Sequence, residues 1–158
     1  MDKNDKKAAV NEFDALCAAL EDRGWDFEKN KDDFSVGFTA NGKDMPVEVT
    51  LKINPELMTV SAFAAPPVQT PEGMDEQLAV ATVILNDGVI HGNFDYDKNG
   101  RRIIFRVSTS YRDTALDKEV YLYLIAAAFT SVDQTASTIK ALCDGTLAVE
   151  QMIAALAR

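Results

Sequence analysis

Between Phe34 and Ile53 the apolar residues fall on every second position, which confines this stretch to strands with one buried face and one wet face. Phe34, Val36, Phe38 and Ala40 alternate with Ser35, Gly37 and Thr39, and Asn41-Gly42 then supplies the residues that a tight hairpin turn wants. Val47, Val49, Leu51 and Ile53 continue against Glu48, Thr50, Lys52 and Asn54. Asn54-Pro55-Glu56 turns the chain into a third strand, Leu57 to Phe63, which ends in a loop from Ala64 to Pro71 with three prolines.

Helical spacing flanks these strands. Val10, Phe13, Leu16, Cys17 and Leu20 recur at three- and four-residue steps, so a first amphipathic helix follows the polar leader of residues 1–8 and ends at Gly24. Trp25 and Phe27 lead off as apolar cover or as the edge of a strand. A second helix starts between Pro71 and Asp75 and runs to about Asn86, with Gly88 closing it. Two strands follow, Gly92 to Asp97 and Arg102 to Ser108, joined by the turn Asp97-Lys98-Asn99-Gly100. A long helical stretch from Asp117 to Leu142 comes next, with Ser131 or Asp133 available to cap a new helix if it divides near Thr130 to Asp133. Beyond Gly145 and Thr146, the residues Val149, Met152, Ile153 and Leu156 predict a final short helix. The fold class is therefore α+β: an antiparallel sheet of about five strands with helices on one face, in the order α-βββ-α-ββ-α-α. Glu48, Thr50, Lys52, Arg102 and Arg106 fall on the other face. At 158 residues the chain is expected to form one domain around one core.

Charge narrows the partners. Sixteen Lys and Arg against 25 Asp and Glu leave a net charge of −9, which repels nucleic-acid phosphates and anionic lipid headgroups. The longest apolar run, Val120 to Phe129, is half of what a membrane-spanning helix needs, about 20 residues. With no secretory signal pattern at the start, a soluble cytoplasmic protein is expected.

Catalytic and metal chemistry find little support. Asp95-Tyr96-Asp97-Lys98-Asn99-Gly100 fits the first six positions of a calcium loop, but Arg102 stands where an apolar residue belongs and Arg106 where the bidentate glutamate belongs. His91 is the only histidine and has no nucleophile motif to serve; at the start of a strand it reads as a turn or rim residue. Cys17 and Cys143 lie in helical segments without CxxC spacing and read as small core residues. Acidic pairs such as Asp32 and Asp33 are commonplace in a chain this acidic. No catalytic residue, cofactor site or metal site is assigned.

The second helix is the informative element. Leu78, Ala79, Val80, Ala81, Val83, Ile84 and Leu85 leave no charge between Glu76 and Asp87, whereas a helix lying on one sheet shows a polar outer side. Either the long third helix covers that outer side or a second subunit does. The expectation is a two-fold homodimer built partly on this helix, with Leu78, Ala81, Ile84 and Leu85 at the interface.

Leu85-Asn86, Gly92-Asn93-Phe94, the acidic turn to Gly100, Ile104-Phe105-Arg106 and the acid-capped long helix reaching Gly145 together resemble the YbjN-type domain of bacterial sensory transduction regulators. The likeness covers about Gln77 to Gly145, and the preceding helix and three strands agree in order. It implies a bacterial protein whose fold is similar to that of class I type III secretion chaperones, small acidic proteins that dimerise mainly through their second helix and hold partner segments without catalysis. The helix from Thr146 to Ala157 and the loop Pro66 to Pro71 depart from the minimal chaperone plan. The family offers no catalytic residues to carry across. The expected function is a non-enzymatic protein-binding module, chaperone-like or regulatory, acting as a homodimer with a further protein partner. The alternative is a small-ligand sensor with a pocket between sheet and long helix, lined by Phe94, Phe105, Tyr121 and Tyr123.

Overall fold

The computed structural model describes residues 3–156. The elements run α1 (Lys3–Asp22), β1 (Glu28–Asn30), β2 (Ser35–Asn41), β3 (Pro46–Asn54), β4 (Thr59–Ala65), α2 (Asp75–Leu85), β5 (Asn93–Asp97), β6 (Arg102–Ser110), α3 (Lys118–Cys143) and α4 (Val149–Leu156). The polar start is helical from Lys3 onward, so α1 reaches back into the expected leader; Met1 and Asp2, like Ala157 at the far end, lie outside the described residues.

The strands form one antiparallel sheet in the order β1-β2-β3-β4-β6-β5. It has six strands rather than five because the segment after Trp25 contributes the three-residue edge strand β1. β4 begins at Thr59 rather than Leu57, since the Asn54 side chain accepts from the backbone N–H groups of Glu56 and Leu57, each at 3.0 Å, and holds those residues in a turn. β5 begins at Asn93 because Gly92 takes a φ of +85°, and a Cβ there would sit 2.6 Å from the Arg106 carbonyl.

Alternation decides which sheet face is buried. Val36, Val47, Val49, Leu51, Ile53, Val60, Ala62, Ile103 and Phe105 turn toward α1 and α3, which lie against the same face. Each large aliphatic side chain among them contributes about 1.5–3 kcal/mol by leaving water. The opposite face carries Glu48, Thr50, Lys52, Arg102 and Arg106, as expected, and its charges pair locally: Arg102 with Glu48 at 2.7 Å and Arg106 with Asp95 at 3.0 Å.

α3 is continuous. Asp117 caps it by accepting from the Glu119 N–H at 2.9 Å, and no second cap interrupts it. Asp133, expected as a possible new N-cap, accepts instead from the Lys43 N–H at 2.6 Å and secures the β2–β3 turn. α4 packs against α2.

Candidate protein-binding surface

The apolar α2 divides its side chains unevenly. Leu78 and Ala81 are fully buried in the protomer core, so they have no surface left for a second copy. Ile84 and Leu85 are half-buried. The outward positions are Val80 and Val83, 48% and 72% exposed, and they replace Leu78 and Ala81 as the α2 residues able to meet another molecule. Neither α3 alone nor a second subunit is needed to shelter the rest: α4 lies on α2, with Leu147, Val149 and Met152 joining Leu85 at the margin of the core.

The four aromatics expected to line a ligand pocket do not share one. Phe94 and Phe105 pack edge to face at 5.0 Å inside the core. Tyr121 is buried and donates its hydroxyl to the Glu12 carboxylate, while Tyr123 stands outside, against the His91 ring at 6.0 Å. The side chains flagged for chemistry also have structural employment. Asp95 meets Arg106, and Asp97 accepts from the Asn99 N–H at 3.0 Å, as a hairpin turn requires. Cys17 and Cys143 are buried free thiols whose pKa values are pushed up by burial. Asp33 accepts from Ser35 at 2.6 Å and from Lys52 at 3.1 Å, which holds its carboxyl below the usual range.

Surface apolar groups gather instead along the outer side of α3. On one flank a groove of about 570 Å³ opens between α3 and the strand β2, walled by Trp25, Phe38, Leu122 and Phe129 with Ile125 at its floor. Trp25 is partly exposed and leans on Phe38, ring centroids 5.5 Å apart. On the other flank a shallower groove of about 500 Å³ runs between α3 and the α2–β5 connection, past Ile90, His91 and Tyr123. Ala126 and Thr130 border both grooves, so α3 presents one ridge between two channels. Such a surface suits a polypeptide better than a small polar metabolite, because it offers wide apolar contact and few converging polar groups.

Sequence reasoning missed Trp25, Phe38, Leu122, Ala126 and Phe129 as surface groups. The signal was the run Val120 to Phe129, too apolar on all sides for a helix that hides a single stripe.

The model of the YbjN family, described as "Putative bacterial sensory transduction regulator", matches residues 12–141, from within α1 almost to the end of α3. The chain belongs to the YbjN family. Its α4 lies beyond the YbjN-matched stretch. YbjN from E. coli shares the fold with a TM-score of 0.59 at 12% identity, over 84% of this chain and 92% of that one. The crystal structure of the ExsC–ExsE complex gives 0.59 at 15% identity, over 83% and 95%. The HopA1–SchA chaperone–effector complex gives 0.55 at 8% identity, over 79% and 93%. The fold is thus shared with YbjN, with a protein of the ExsC–ExsE complex and with one of the HopA1–SchA chaperone–effector complex. No curated protein matches the sequence significantly.

Proposed function

We propose that this YbjN-family protein is a non-enzymatic binding module, chaperone-like or regulatory, that holds a segment of a partner protein along the outer ridge of α3. The observation that carries the reading is the pair of apolar grooves sharing Ala126 and Thr130, in a domain where Asp95, Asp97 and Asp133, the acidic groups nearest to a motif, are spent on an ion pair and on turns. Two solved neighbours are complexes, ExsC with ExsE and SchA with HopA1, which supports a protein partner here. The free thiols Cys17 and Cys143 suit a reducing cytoplasm, and among the described residues no helix is long and apolar enough to cross a membrane. The module acts as a homodimer through the outer face of α2, where Val80 and Val83 lie in a helix turn free of charge.

Affinity capture from native lysate with the wild type and with Ala126→Glu tests the reading. Ala126 is exposed, so the substitution places a carboxylate beside both grooves without entering the core. Capture of a discrete partner that falls by about tenfold in the variant, at unchanged melting temperature, is expected; about 1.4 kcal/mol of lost contact suffices for that change. Equal capture by both forms would contradict it.

A further inference from the structure

The strand β2 is only half paired on its outer side. β1 matches Glu28 with Gly37, Lys29 with Val36 and Asn30 with Ser35, and there the ladder stops. Phe38 to Asn41 remain paired with β3 on the inner side, from Phe38↔Val49 to Asn41↔Pro46, and no strand among the described residues pairs with them on the outer side. Continuing the β1 register would place Phe27, Asp26 and Trp25 opposite Phe38 to Ala40. Backbone pairing instead ends at Glu28, although the Trp25 ring still leans on Phe38, and the apolar groove opens between residues 24–26, β2 and α3. An unpaired strand edge beside an apolar groove is a template for an added strand.

The two faces of that edge differ. Phe38 and Ala40 turn to the groove side, while Thr39 turns to the open face beside Glu48, its partner across β3. A second depression of about 540 Å³ lies on that side, bordered by Asp26, Glu28, Thr39 and Glu48. Glu48 is engaged by Arg102, but the carboxylates of Asp26 and Glu28 have no hydrogen-bond or ion-pair partner among the described residues. An added strand alternates its side chains between these two environments with a period of two.

We propose that an extended segment of a partner protein completes the outer edge of β2 at Phe38 to Asn41, its apolar residues entering the groove and Lys or Arg on the alternate positions meeting Asp26 and Glu28. This rests on the protein-binding reading above and specifies the form its partner takes. Backbone pairing supplies the register, the groove selects apolar side chains, and the acidic rim selects against acidic segments.

The test uses an eight-residue peptide alternating Leu and Lys, a scrambled peptide of the same composition, and an alternating peptide N-methylated at every second amide. Amide exchange of the full-length protein is followed by NMR. The alternating peptide is expected to slow exchange within Phe38 to Asn41, with the scrambled and N-methylated forms binding at least about tenfold more weakly because they forfeit ladder hydrogen bonds. Asp26→Asn with Glu28→Gln is expected to weaken binding and flatten its salt dependence. Equal binding of all three peptides would overturn strand addition while leaving a groove-binding protein. No binding at millimolar peptide would also overturn it, and the lysate capture with Ala126→Glu then decides separately whether the ridge binds protein at all. Protection at Phe38 to Asn41 that grows with protein concentration without peptide would assign the edge to a second copy and overturn the proposal.

Discussion

Tyr121 and Glu12 show what a polar pair does in this core. Tyr121 is fully buried and Glu12 almost so; the hydroxyl donates to one carboxylate oxygen while the other accepts from the Leu116 N–H at 3.3 Å. α1 is thereby tied to the start of α3. Burial and the adjacent carboxylate raise the Tyr121 pKa, and burial also raises that of Tyr111. A raised folded-state pKa contributes stability that is complete below the unfolded value, about 10, and is lost as pH climbs above it. Chemical denaturation at successive pH values should therefore show stability falling above about pH 10, with a shallower fall in Tyr121→Phe, since Tyr111 remains. At pH 7 that variant should lose about 1–3 kcal/mol, because Glu12 is left short of a partner; an unchanged midpoint would contradict the account. The alternating residues of β2 and β3 were legible in the sequence because period two leaves one choice of buried face. The inward set of α2 was not. Leu78 and Val83 look alike in a helix with no polar stripe, and only the packed sheet and α4 distinguish the buried side chain from the exposed one.

At the scale of elements, α4 changes the meaning of α2. It lies outside the family-matched stretch yet packs on the helix whose apolar character invited an interface. Ending the chain at Thr146 should leave the sheet intact by circular dichroism while baring Leu85 and its neighbours, so dye binding and self-association should both increase in light scattering. An identical elution profile with no added dye binding would show that α4 shelters nothing. Element order was readable because turns, caps and periodicity mark their own places. The short β1 was harder, since Glu28, Lys29 and Asn30 are polar and exposed and only pairing with β2 makes them a strand. The continuity of α3 was hidden for a similar reason: Asp133 has the chemistry of a cap, and its use in holding the β2–β3 turn is settled 90 residues away in sequence.

For the whole molecule, a net charge of −9 sets the terms of association. Two copies repel at long range, so a homodimer needs an uncharged contact, and the outer face of α2 provides one in Val80 and Val83. Val83→Asp should yield a folded monomer by light scattering at tens of micromolar, with little change in melting temperature because Val83 is mostly exposed; a dimer that persists would place the contact elsewhere. The acidic surface also favours cationic partners at the α3 ridge and its β2 edge. The central claim, that this ridge grips a partner protein, is tested most directly by photo-crosslinking in the native cell from a benzoylphenylalanine placed at Ala126, with Lys98 on the β5–β6 turn as the control position. A discrete adduct with one other protein, formed from position 126 and not from 98, is the predicted result. Adducts only with further copies of the chain, or the same products from both positions, would contradict it.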